Sequence, residues 1–317
     1  MSNKIVQRRF GGPEVLEFVE AESPTGADLA ADEVLVRVAF AGVNPIDVMT
    51  RRGGGMAAAG IVSLPLIPGW DLAGTVEAVG SDVHEFVPGQ RVFGMARFPQ
   101  AGSAYAEHAV VPARDLLATP ASFSDEEAAA FPMAALTAWQ AFRDTASVQK
   151  GERVLITGAG GGVGHLAVQL AHHLGAEVIA VASARKHAWL QELGADVTVD
   201  YTDPDALAAL SEKPVQVALN LASGSRGAAL AAVEAGGVLV SLGEGADALT
   251  AAAAAAGVRL EATHVHTNRD WLEHVGALAA DGVLKPTVSQ VFALADAAEA
   301  HRAIDSGHTR GKVVLRA

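Results

Sequence analysis

Five glycines crowd the stretch Thr157-Gly158-Ala159-Gly160-Gly161-Gly162-Val163-Gly164. Before it runs the short apolar segment Arg153-Val154-Leu155-Ile156-Thr157, and after it apolar residues recur at 163, 166, 167, 170, 171 and 174. That spacing is one face of a helix, so the glycines occupy a strand-to-helix turn. Glycine lets the main chain approach a pyrophosphate closely, and the first N–H groups of the helix add the positive end of its dipole. The dinucleotide fingerprint is met with one departure, because its three marked positions read Ala159, Gly161 and Gly164, with Gly162 and Val163 between the last two. A tight turn without a ligand is the competing reading. Which dinucleotide is bound is decided about 20 residues further on, where an NAD site places a carboxylate on the ribose diol. Here Ala182 is followed by Ser183-Ala184-Arg185-Lys186. A hydroxyl and two cations with no acid suit the 2′-phosphate of NADPH. Arg185 and Lys186 would also serve as a solvated helix start.

Other chemistry is narrowed by what is missing. There is no cysteine, which removes disulfides, thiolate nucleophiles and every sulfur-ligated metal site. Among the eleven histidines, His172 and His173 lie off the apolar stripe and are expected in solvent. His264 and His266 share a face if they lie on a strand, but core or surface roles are the expectation for them. No general acid is assigned.

The elements that must position this loop alternate. Glu177 to Val181, Val215 to Leu219 and Val238 to Leu242 read as strands, Asp203-Pro204 opens a helix, and the alanines 251–256 continue one. Strand-helix alternation implies a doubly wound parallel sheet. Before it the texture differs. Val34 to Val38, Gly74 to Val79, Arg91 to Phe93 and Ala109 to Val111 are short β-type runs, with turns at Pro68-Gly69 and Pro88-Gly89. This is a β-rich, barrel-like domain. Ser124-Asp125-Glu126-Glu127 is a capping box opening an alanine-rich helix, and the domain boundary is placed at Ser122. The last stretch, 291–317, is a helical pattern followed by Lys312-Val313-Val314-Leu315, and by its pattern fits either domain.

With 317 residues, 50% hydrophobic and 19% charged, the chain has ample length for buried cores and is an α/β protein. Its net charge of −13 argues against nucleic acid as the main partner. Lys4, Arg8 and Arg9 are not followed by an apolar run, so no secretory signal is read, and no stretch is long enough to span a membrane. A cytoplasmic location is the default.

Taken in order, Ala41-Gly42-Val43-Asn44-Pro45-Ile46-Asp47, Ile67-Pro68-Gly69-Trp70-Asp71-Leu72-Ala73-Gly74, Pro88-Gly89-Gln90-Arg91-Val92, Leu136-Thr137-Ala138-Trp139, the glycine loop, Leu193-Gly194-Ala195-Asp196 and Gly311-Lys312-Val313-Val314-Leu315 resemble the medium-chain dehydrogenase/reductase superfamily, and within it the zinc-independent quinone oxidoreductases. The resemblance implies a GroES-like catalytic domain over 1–121 and 291–317, a Rossmann coenzyme domain over 122–290, and a homodimer. Zinc-dependent alcohol dehydrogenases of the superfamily hold their catalytic metal at positions that fall here on Asn44, Trp70 and Met133, none of them a strong zinc ligand. No metal site is therefore expected.

The resemblance further implies that the nicotinamide lies over a pocket built from Asn44, Trp70 and Met133. Asn44 would donate to the substrate carbonyl or the coenzyme ribose, or serve as a turn residue before Pro45. Trp70 is a stacking wall or ordinary core, and Met133 a contact or filler. Asp47 orients the coenzyme or hydrogen-bonds its own loop, the second being favoured. Thr137 would lie near the coenzyme phosphates and Tyr201 beside the 2′-phosphate, and Leu242 and Gly243 complete the coenzyme set. Without a Lewis acid, hydride transfer favours an acceptor that delocalises the developing charge. The expected reaction is NADPH-dependent reduction of a quinone or an α,β-unsaturated carbonyl compound. A non-enzymatic NADPH-binding sensor or adaptor, and an enoyl reductase or tailoring enzyme on a polyketide-like intermediate, are the alternatives.

Overall fold

The computed structural model describes residues 1–242, 246–263 and 265–317, the side chains of 246 and 247 excepted. Its contacts form two compact units, Met1–Met133 with His266–Gly282 and Pro286–Ala317, and Ala134–Val265 with Val283–Lys285.

The first unit carries the strands β1 (Ser2–Gln7), β2 (Leu16–Ala21), β3 (Glu33–Val43), β4 (Asp71–Val79), β5 (Arg91–Met95), β6 (His108–Pro112) and β7 (Leu116–Ala118). The second carries β8 (Arg153–Thr157), β9 (Glu177–Ala182), β10 (Val197–Asp200), β11 (Val215–Asn220), β12 (Val233–Ser241) and β13 (Arg259–Glu261). The chain then returns to the first unit with β14 (Val288–Ala293) and β15 (Lys312–Arg316).

In the first unit β1 and β2 form an antiparallel pair, and a seven-stranded sheet runs β14-β15-β3-β4-β5-β7 with β6 added to β3. The terminal Lys312-Val313-Val314-Leu315 run, whose pattern fits either domain, lies antiparallel to β3, with Val313 opposite Val43 and Val314 opposite Gly42. Val34, Val36, Leu72, Val92, Val313 and Leu315 are fully buried in one core, the inward half of an alternating pattern. Contacts that define this unit include the helix Asp125–Ala130 against β3 and β4 and the helix Arg269–Ala280 against β7. Both helices lie outside the span 1–121 and 291–317 drawn from sequence. Ser124 caps the first of them as read, its hydroxyl accepting from Glu127 N at 3.2 Å while Glu127 accepts from Ser124 N at 2.9 Å.

The second unit is a six-stranded parallel sheet in the order β10-β9-β8-β11-β12-β13. The chain order reverses between β8 and β11, and ligands of open α/β sheets bind at the carboxyl ends of the strands flanking such a reversal. The glycine turn leaves β8 at that place. Among the described residues, no helix is long and apolar enough to cross a membrane.

Candidate functional site

In the second unit, the glycine turn hands over directly to the helix Gly164–His173. Gly158 adopts φ +66°, a left-handed conformation that glycine takes without strain. Gly164 is glycine for a different reason: a Cβ there would stand 2.3 Å from Gly158 O and 2.6 Å from Ala159 Cα. Ala159 is buried and donates its N–H to Val181 O at 3.1 Å, tying the turn to β9. Gly161, Gly162 and Val163 are partly exposed, so main chain is left accessible at the start of the helix. His165, fully buried, braces this turn. Its Nδ1 lies 3.0 Å from Gly161 O, and its ring stacks on Trp189 at 5.8 Å.

A second brace joins strand ends. Thr157 Oγ1 donates to Asn220 Oδ1 at 2.8 Å and Asn220 Nδ2 to Ser241 Oγ at 3.2 Å, one buried rung across the carboxyl ends of β8, β11 and β12. Thr157 Oγ1 also accepts from Leu221 N, and Leu242 N donates to Asn220 O at 3.1 Å. Sequence reading missed this rung. Its signal was a polar residue ending each of three apolar strands.

Lys186 lies across the glycine turn. Its Nζ donates to Gly160 O at 3.2 Å, and its stem fills the space a Cβ on Gly160 would need. Ser183 is partly exposed, while Arg185 and Tyr201 are exposed. Asp200, ending β10, accepts from Ala184 N at 3.2 Å and from Thr202, bonds that hold its carboxyl below the ordinary range. Thr137 is buried within the helix Pro132–Trp139. Gly243 and His264 lie outside the described residues. The narrow glycine turn, the accessible helix start and the lysine across it fit a dinucleotide phosphate.

In the first unit, a buried polar cluster gathers around Asn44, the N-cap of the helix Pro45–Arg51. Asp47, in the first turn, accepts from Asn44 N at 2.7 Å. The Asn44 amide donates to Asp71 Oδ2 at 3.0 Å and accepts from Lys312 Nζ, leaving its second amide hydrogen without a partner among the described residues. Lys312 Nζ lies 3.6 Å from Asp71 Oδ2, and Met133 N donates to Asp71 Oδ1 at 3.0 Å. Asp71 therefore joins Asn44 to Met133. Trp70 sits beside them in sequence but is 2% exposed, donates its indole N–H to Gln100 O at 2.6 Å and meets Phe98 edge-on. These contacts make Trp70 an anchor for the segment 97–104.

Two carboxylates share one ammonium here. Burial pushes Asp71 up and Lys312 down, each partly offset by the other. Burial raises Asp47 to about 7, with the neighbouring Asp71 adding to the rise and Lys312 and Asn44 N opposing it. Asp71, Lys312 and their couplings escaped sequence analysis as site residues. The signal was a lysine set directly before the apolar run Val313-Val314-Leu315. Among the described residues, no cluster of three His, Cys, Asp or Glu is placed to hold a metal.

Family models match in two blocks: an alcohol dehydrogenase GroES-like domain over residues 30–121 and a zinc-binding dehydrogenase domain over 193–315. The 2-methylene-furan-3-one reductase of Solanum lycopersicum is 31% identical over 91% of this chain and 72% of its own length. This chain belongs to the medium-chain dehydrogenase/reductase superfamily, among its quinone oxidoreductase-like members. The quinone oxidoreductase of Coxiella burnetii superposes with TM-score 0.92 at 34% identity, covering 100% of this chain and 99% of that one. The Escherichia coli quinone oxidoreductase complexed with NADPH gives 0.87 at 29% identity, covering 99% and 100%. Two further curated relatives are longer, the chain spanning 60% and 66% of their length. The zinc of the second family description has no counterpart in the side chains at Asn44, Trp70 and Met133. An amide, an indole and a thioether stand there.

Proposed function

We propose that this member of the superfamily transfers hydride from NADPH to a quinone or an α,β-unsaturated carbonyl compound, without zinc, as a cytoplasmic homodimer. The observation that carries the reading is the cluster around Asn44. It offers an amide hydrogen steadied by Asp71 and Lys312, and an amide, an indole and a thioether stand at Asn44, Trp70 and Met133. A single weak donor suits an acceptor that spreads the arriving charge over a π-system, and is a poor match for an isolated ketone.

NADPH supplies the hydride when bound. The main-chain N–H groups of Gly161, Gly162 and Val163 at the helix start would hold its pyrophosphate, and Ser183, Arg185 and Lys186 its 2′-phosphate. Asn44 would orient the acceptor carbonyl, and Trp70 keeps the neighbouring segment in place.

NADPH oxidation measured with a panel of benzoquinones, enones and enoyl thioesters tests this. Turnover on quinones or enones that survives exhaustive chelation is expected. Tight NADPH binding with no turnover on any acceptor, or activity lost on chelation and restored by zinc, overturns it. Arg185→Ala with Lys186→Ala should weaken NADPH by about 1.5–3 kcal/mol for each charge-assisted hydrogen bond removed, and leave NADH little changed. An unchanged NADPH/NADH ratio in titrations would contradict the coenzyme assignment.

A further inference from the structure

β9 ends in Ala182, so its own carboxyl end offers no acid to a ribose. β10 lies beside it in parallel register, with Val197 opposite Ile179, Thr198 opposite Ala180 and Asp200 opposite Ala182. Register therefore sets a carboxylate next to the position that lacks one. Because β8, β9 and β10 are parallel, this carboxylate stands at the same end of the sheet as the glycine turn.

The Asp200 side chain is held in one orientation. Its Oδ1 accepts from Thr202 N and from Thr202 Oγ1, each at 2.9 Å, and its Oδ2 accepts from Ala184 N at 3.2 Å. Thr202 fixes one oxygen from the chain that follows β10, which turns the other onto the main chain that follows β9. Ala184 lies between Ser183 and Arg185, residues assigned above to the 2′-phosphate. A main-chain donor of that cradle is thus already taken by an anion of the protein itself. The cations nearby do not cancel it. Lys186 sends its ammonium to Gly160 O at 3.2 Å, and Arg185 is exposed. His187, whose Nε2 lies 3.1 Å from Ala182 O, favours the charged form of Asp200.

We infer that Asp200 is a specificity-determining residue at the adenosine end of the coenzyme: it accepts from the 2′-hydroxyl of NADH and opposes the 2′-phosphate of NADPH, so that the site takes both coenzymes and the preference for NADPH is held small. The inference rests on the assignment of the glycine turn and residues 183–186 to the coenzyme. An ionised carboxylate has about four lone-pair sites, and Thr202 and Ala184 fill three of them. The remaining site can accept from a hydroxyl and has no hydrogen to give a phosphate. To reach Ala184 N, a 2′-phosphate must displace Asp200 Oδ2 or lie beside it as a like charge. With solvent still reaching the pair, that repulsion is worth about tenfold in affinity.

Fluorescence titration of the intact protein with NADPH and with NADH, in wild type, Asp200→Asn and Thr202→Val, gives the ratio of the two dissociation constants. Wild type should bind both coenzymes. Asp200→Asn should tighten NADPH and weaken NADH, moving the ratio about tenfold or more toward NADPH. Thr202→Val removes one bond to Oδ1 but keeps the charge, and should keep the ratio of wild type. A structural role alone would weaken both coenzymes equally in Asp200→Asn. That result, an unchanged ratio, or a wild type that binds NADPH without measurable NADH would overturn the inference. If Asp200→Asn melts too low to be titrated, Asp200→Ser replaces it, because a hydroxyl oxygen still accepts from Ala184 N.

None of these titrations uses an acceptor, so their outcome is separate from the quinone and enone screen. A wild type that binds neither coenzyme would sink the coenzyme assignment and this inference together. Both coenzymes bound, with a ratio that Asp200→Asn does not move, sinks the inference alone.

Discussion

Gly164→Ala is expected to abolish useful coenzyme binding. A Cβ at this position meets main chain on two sides, 2.3 Å from Gly158 O and 2.6 Å from Ala159 Cα, and neither can rotate away as a side chain would. The turn must be displaced from the helix start, and with it the N–H groups that would face a pyrophosphate. Losing one or two charge-assisted hydrogen bonds at about 1.5–3 kcal/mol each lowers NADPH affinity by roughly ten- to ten-thousandfold. Overpacking should also cost about 1–3 kcal/mol of stability. Gly224→Ala is the matched control, because a Cβ there meets nothing within 4 Å and its φ is not in the left-handed region. Calorimetric titration with NADPH and a melting curve for each variant decide the matter. Near-equal affinity in Gly164→Ala and wild type would mean that the turn does not carry the coenzyme.

How far such features can be read before folding depends on whether their signal is local. The helix Gly164–His173 and the strands around it announce themselves by period, and a doubly wound parallel sheet follows from their alternation, while the order of its six strands comes from the structure. The edge strand β14 lacks that signal, since most of Val288–Ala293 stays exposed and its residues need not alternate. Asn44 is legible through a motif, but its partners are not. Lys312 reaches it across 268 residues only because β15 pairs with β3, a register that short-range spacing does not encode.

Lys312→Met should be the most destabilising single change in the first unit, and its cost should depend on pH in a stated direction. The ammonium is 3% exposed and lies against Asp71, which is wholly buried, with Asp47 in the same field. Removing it leaves carboxylates in a medium that cannot solvate them, which typically costs about 3–5 kcal/mol. Burial already pushes both acids up, and Lys312 is the group that opposes the push. Without it Asp71 and Asp47 take protons in the fold at higher pH than before, and a protonated acid no longer needs a cation. The loss should therefore be greatest near pH 8.5 and shrink toward pH 5.5. Asp71→Asn added to Lys312→Met removes the stranded charge, and the double variant should recover about 1–3 kcal/mol relative to simple addition. Urea denaturation midpoints at the two pH values measure both effects. An equal loss at pH 5.5 and 8.5, with no recovery in the double variant, would show that Lys312 acts there through its hydrocarbon stem, and the cluster around Asn44 would not be held by charge.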